Sequence, residues 1–242
     1  MKTGLAAGAL AGYLALLLTV DTQVGLRGQL LLGAVTWAVL AAALWRVRPE
    51  RRAQALLVVA VATCAEITGS IIWGVYSYRL ENLPLFVPPG HGIVYLAGLA
   101  LAAAAARHER VLVSAALVAV NVWAAVGLLG VPRLDVGGAI GAVLLSYFLV
   151  RGRAAAIYAG VFLVVAGLEV YGTAIGTWTW AAEIPGTGIP NGNPPSGVAS
   201  GYVWFDLVAL ALAPRLLAAV RGLRGRITRD PDAAAVSAAD PA

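Results

Sequence analysis

The feature that most constrains this chain is the recurrence of apolar runs about twenty residues long, interrupted by short breaks of charge, Gly or Pro. About 20 residues in a helix cross about 30 Å of hydrocarbon, and eight such runs are legible: 5–20, 28–46, 54–77, 92–106, 111–130, 136–150, 154–177 and 198–219. Each should be helical, because lipid offers no partner for backbone N–H and C=O groups. A membrane barrel would instead show short alternating strands, which are absent. Charged residues make up only 12% of the 242-residue chain, about half the usual share of a soluble domain. The expected fold class is therefore all-α, a polytopic membrane protein of about eight transmembrane helices.

The basic residues set an orientation. Fourteen of the 17 Lys and Arg fall on one side of the predicted spans, in clusters such as Arg46 to Arg52, Arg107 with Arg110, Arg151 with Arg153, and Arg215 to Arg229. Only Arg27, Arg79 and Arg133 fall on the other. The positive-inside rule then predicts an integral protein of the cytoplasmic membrane with both termini cytoplasmic and the proline-rich loops outward. Topology thus accounts for the net charge of +5 and removes the usual argument for a nucleic-acid partner. The first run is read as a retained helix, since Thr19-Val20-Asp21-Thr22-Gln23 offers no small-residue cleavage site. A lone cysteine, Cys64, excludes an internal disulfide and reads as a small buried residue. Residues 221–242 read as a basic, then disordered, cytoplasmic tail.

Two stretches echo each other across the middle of the chain. "EITGSIIWGVYSYRLENLPLFVPPGHGIVY", Glu66 to Tyr95, and "EVYGTAIGTWTWAAEIPGTGIPNGNPPSGVASGY", Glu169 to Tyr202, keep one order of features. A Glu is followed by Gly three residues on, then a second Gly, an alternating aromatic pair (Tyr76 and Tyr78; Trp178 and Trp180), a double proline and a closing Tyr. The offset from Glu66 to Glu169 is 103 residues. This pattern predicts two four-helix repeats, 1–106 and 107–220. An even helix count makes them parallel, related by an axis along the membrane normal.

An ionised carboxylate near mid-membrane costs about 2.5 to 3.5 kcal/mol on insertion scales, so such residues usually face the bundle interior and act there. Glu66, Glu169 and Asp206 are the candidates, with His91 as a further acid or base near neutrality or else a helix cap. Carboxyls sharing one apolar cavity should not all ionise together, which leaves at least one able to donate a proton. Trp73, Trp178 and Trp204 are candidates to line that cavity, where an aromatic face stabilises a cation. Tyr76, Tyr78, Trp180, Tyr202, Asn121 and Asn193 complete the expected substrate-binding set, although an interfacial aromatic belt is the stronger reading for Tyr78 and Trp180. No zinc, nucleotide or dinucleotide motif is present, so no metal and no cofactor is expected.

The segment Glu66-x-x-Gly69, Trp73-Gly74-x-Tyr76-x-Tyr78 and Leu83-Pro84-Leu85-Phe86-Val87-Pro88 resembles the membrane carotenoid-biosynthesis proteins of the bacterioruberin hydratase type, and more loosely the lycopene cyclase domain proteins. The resemblance spans about 30 residues. It implies a cofactor-independent enzyme that protonates a terminal isoprenoid double bond, after which water or an internal alkene captures the carbocation. Glu66 matches the family's intramembrane acid; Glu169 and Asp206 follow from burial alone. "PPGHG" and "NGNPPSG" depart from the family pattern. The expected partners are therefore the bilayer and a hydrophobic isoprenoid-like lipid. A secondary transporter with midplane carboxyls, or a membrane scaffold subunit, are the other classes compatible with the sequence.

Overall fold

The computed structural model describes residues 2–130 and 132–227. Eight long helices carry the chain: α1 (Lys2–Asp21), α2 (Leu26–Trp45), α3 (Pro49–Glu66), α4 (Val87–Ala104), α5 (Glu109–Leu129), α6 (Val136–Arg151), α7 (Ala155–Ala174) and α8 (Ala199–Ile227). Seven segments, α3 with its continuation among them, are long and apolar enough to cross a membrane. The exception is α6, whose 16 residues span about 24 Å. The chain is thus an all-α membrane protein, with short strands only in the connections.

Several boundaries differ from those read off the hydropathy, and each has a local cause. The third helix begins at Pro49, whose fixed φ suits the first turn. Its continuation, Ile67–Trp73, is wound as a π-helix and ends at Gly74, which takes φ 73°. The expected run to residue 77 is therefore cut short. Tyr76–Tyr78 forms strand β1 instead. Gly176, at φ 77°, stands between α7 and strand β2 (Trp178–Trp180). A side chain at either glycine would pay for the left-handed backbone. Pro88 and Pro89 lie in the first turn of α4, not in a loop, because the backbone N–H groups missing there would lack helical partners anyway. The helix α8 continues to Ile227, so the expected tail is helical from 221 to 227; residues 228–242 lie outside the described residues. Cys64 is exposed on α3, where a small apolar side chain can face lipid at no cost, and is not the buried residue expected.

Four helices form a closed ring. Along it α3 packs on α4, α4 on α7, α7 on α8 and α8 back on α3. The α4–α7 crossing is close because both helices carry glycine at the contact: a Cβ on Gly98 would lie 2.7 Å from the Cα of Val161, and one on Gly160 would strike the carbonyl of Gly98. Outside the ring, α1 packs mainly on α4, α2 on α4, and α5 on α6 and α7, while α6 also reaches α8. Tyr95, Phe162, Leu40 and Ile93 are among the largest fully buried side chains.

Over one end of the ring, β1 and β2 pair antiparallel with the register Tyr76 to Trp180, Ser77 to Thr179 and Tyr78 to Trp178. The pairing extends past both strands through Arg79 N–H to the Thr177 carbonyl (3.0 Å) and Ala181 N–H to the Val75 carbonyl (2.8 Å). A second hairpin, β3 (Glu183–Ile184) with β4 (Ile189–Pro190), follows. Two arginines brace this cap. Arg133 donates to the carbonyls of Asn191 (2.6 Å), Trp180 (2.8 Å), Gly192 (3.2 Å) and Ala181. Arg79 donates to those of Val24 (2.6 Å) and Asp21. The Asp135 carboxylate accepts from the backbone N–H groups of Gly138 (3.0 Å), Gly192 (2.8 Å) and Ser196 (2.7 Å). The "NGNPPSG" stretch is therefore tied down by Arg133 and Asp135, which satisfy backbone groups that would otherwise cost free energy if left buried and unpaired.

Candidate functional site

Alternation along a strand sends residues i and i+2 to one face. The Y-x-Y and W-x-W patterns therefore give each strand two aromatic rings on a common side, and pairing the strands assembles four rings over the end of the helical ring. The centroids of Tyr76 and Trp180 are 4.6 Å apart, and those of Tyr78 and Trp178 are 6.2 Å apart.

Each aromatic pair reaches back to the carboxyl of its own half. Tyr76 and Tyr78 both donate their hydroxyls to Glu66 Oε2, each at 2.7 Å. Trp178 and Trp180 both donate their indole N–H groups to Glu169 Oε2, at 2.9 and 3.1 Å. This geometry explains the E-x-x-G spacing. Three residues on, the glycine lies under the first ring of the pair: a Cβ on Gly69 would sit 3.1 Å from the Tyr76 ring, and one on Gly172 would overlap the Trp178 ring. Glycine lets the ring lie against the helix and still reach the acid one turn back.

Glu66 has a third partner. His91 Nε2 lies 2.9 Å from Glu66 Oε1, so both carboxyl oxygens are engaged. His91 sits within α4 and is buried, with its ring 5.3 Å from that of Tyr202. It is thus placed as a partner of the acid and not as a helix cap. Burial first, then the charge of Glu66, hold the hydroxyls of Tyr76 and Tyr78 well above the ordinary phenol range. Both tyrosines stay protonated and act only as donors. Glu169 differs, since its Oε1 receives no hydrogen bond from the described residues.

Glu66, Glu169, His91, Tyr76, Tyr78, Trp178, Trp180 and Tyr202 all line one cavity of about 250 Å³. Tyr78 and Trp180, expected at the membrane interface, line it and hydrogen-bond the two acids. The other expected residues stand elsewhere. Trp73 is 51% exposed and its indole N–H donates to the Pro185 carbonyl. Trp204 is 52% exposed and packs on Phe148. Trp73 ends a π-helical segment that has no buried residue, and Trp204 turns outward between the buried Val203 and the cavity-lining Phe205. Asn121 is exposed and donates to Ser146 on α6 and to the Leu117 carbonyl. Asn193 accepts from the Trp180 N–H at 3.0 Å, so it positions β2 and does not contact the cavity. Asp206 is 1% exposed, its Oδ2 has no hydrogen-bond partner among the described residues, and it stands one turn beyond Tyr202 on α8, outside the cavity lining. Two of the three acids converge and the third lies apart.

The walls also include residues not singled out in the sequence. Phe205 stacks near both His91 and Tyr202, and Leu14, Leu17 and Leu18 bring in α1. The spacing of Phe205 three residues from Tyr202 places the two on one helix face; the leucines of a uniformly apolar helix carry no such signal. Compared with protein-family models, curated proteins and solved structures, the chain matches none.

Proposed function

We propose that this is an integral membrane enzyme that acts on a hydrophobic isoprenoid- or carotenoid-like lipid by protonating a double bond, leading to hydration or cyclisation. The observation that carries the reading is the meeting of Glu66 and Glu169 in one cavity whose other walls are aromatic and aliphatic. The resemblance of the Glu66 to Pro88 segment to bacterioruberin hydratase type proteins points the same way.

In this reading Glu169 is the acid. Its Oε2 is held by two indoles, while Oε1 is left for a proton aimed into the cavity. The proton moves to one alkene carbon, the π pair forms the new C–H bond, and the neighbouring carbon becomes a cation. Nearby aromatic faces stabilise that charge. In hydration, water adds to the cation and its proton passes to the Glu66–His91 pair. In cyclisation, a second alkene supplies the electron pair and the same base removes a proton from carbon. The proton then returns to Glu169, so no cofactor is consumed.

The same proposal includes the architecture. The matched Glu–aromatic units, one per half, fit two parallel four-helix repeats, α1 to α4 and α5 to α8, about an axis through the ring. The basic connections then face the cytoplasm and the β1–β2 cap faces outward.

The test is expression of wild type, Glu66→Gln and Glu169→Gln in a carotenoid-producing host, with extracted lipids read by mass spectrometry. A hydrated or cyclised product made by wild type and lost in both variants at equal protein level is the expected result. Unchanged lipids with wild type would overturn the isoprenoid reading and make proton-coupled flux in liposomes the next assay.

A further inference from the structure

We infer that the cavity is a binding site for a lipophilic organic cation, an alkylammonium group with a short apolar chain. This does not depend on any reaction following.

Charge, rings and shape all bear on it. Two carboxyls line the cavity against one basic side chain, His91. The arginines closest to the cap, Arg79 and Arg133, are committed to backbone carbonyls and are not among the lining residues. His91 is itself committed to Glu66. That leaves Glu169 Oε1 as the acceptor that no described residue uses, beside the indoles of Trp178 and Trp180.

Seven aromatic residues line the same space, Phe86 and Phe205 together with Tyr76, Tyr78, Trp178, Trp180 and Tyr202. Aromatic cages of this kind recognise quaternary ammonium groups through the negative ring face, and the attraction strengthens when water is excluded. An ammonium carrying no N–H needs no hydrogen-bond acceptor, only a countercharge and π faces; Glu169 in its ionised form, the conjugate base of the acid proposed above, supplies the first and the rings the second. Leucines of α1 with Val94 and Val165 supply an apolar wall for a chain. About 250 Å³ falls just below the usual range of roughly 300 to 1,000 Å³ for small-molecule pockets. The cavity therefore suits a trimethylammonium head with a chain of a few carbons.

The experiment uses the full chain in lipid nanodiscs and two probes, hydroxyhexyl-trimethylammonium and its uncharged tert-butyl isostere. Quenching of tryptophan fluorescence and the shift in thermal unfolding are both followed. The expected result is that the cation binds at least about tenfold more tightly than the isostere and raises the unfolding temperature where the isostere does not. Glu169→Gln keeps an oxygen for both indoles while removing the countercharge, so it should lose that preference; Trp73→Phe, outside the cavity, should retain it. Equal affinity for the two probes in wild type, or a preference unchanged by Glu169→Gln, would overturn the inference. Because binding is read without turnover, its failure is distinguishable from a failure to find a lipid product.

Discussion

The two halves of the cap are built alike and behave as chemical opposites. On one side, Glu66 receives two phenol hydroxyls and a histidine, and neither of its oxygens is left over. On the other, Glu169 receives two indole N–H groups on a single oxygen. An imidazole can pass a proton onward; an indole N–H only donates a hydrogen bond. The histidine on Glu66 thus makes one environment able to exchange a proton, while the indoles alone make the other a fixed clamp. Two residues after the double proline the contrast continues, with His91 in the first half and Gly197 in the second.

The largest break in this comparison should come from the acid with the free oxygen. Glu169→Gln preserves both indole bonds and is expected to lower turnover by about 10² to 10⁴, the usual contribution of a general acid, measured as product formed per protein in isolated membranes. His91→Gln should follow with a smaller loss of about 10- to 100-fold, since the Glu66 carboxylate remains as a base; a loss as large as that of Glu169→Gln would reverse the assigned roles. Removal of the braces tests stability instead. Arg133→Met strips charged donors from four carbonyls and should cost about 2 to 4 kcal/mol, seen as a lowered midpoint of thermal unfolding in detergent. Gly69→Ala and Gly172→Ala sharpen the contrast, because only the second methyl would overlap its ring. The second variant should therefore lose more activity, by about tenfold. The smallest effect is expected at Trp73→Phe, within about twofold of wild type in the same membrane assay, as its indole is outside the cavity.

Hydropathy made the helices legible because a sum over twenty residues is insensitive to detail, whereas the shared face of each aromatic pair became visible only with the strands that carry Y-S-Y and W-T-W. What it could not show is which face of an apolar helix turns inward. Trp73 and Trp178 each stand close to the second glycine after the Glu of their stretch, yet one is exposed and the other lines the cavity. The difference lies in Gly176, which reverses the chain before Trp178, whereas Gly74 does so only after Trp73. Nor did the sequence disclose that the two strands would bind each other, since that pairing joins residues about a hundred positions apart. For α1, apolar on all sides, no moment existed to mark Leu14 to Leu18 as cavity wall. The short α6 sits at the limit where a length criterion stops deciding.

The β1–β2 ladder also sets a timetable. During synthesis α1 to α4 can enter the membrane as the ribosome delivers them, but the edge of Tyr76–Tyr78 has its partner only in Trp178–Trp180. At about 5 to 20 residues per second, the roughly hundred intervening residues leave that edge bare for about 5 to 20 seconds. The nascent protein therefore passes through a waiting stage in which its half-built cap is open to chaperones, proteases or a neighbouring copy, and emergence of the second aromatic pair is the event that ends it.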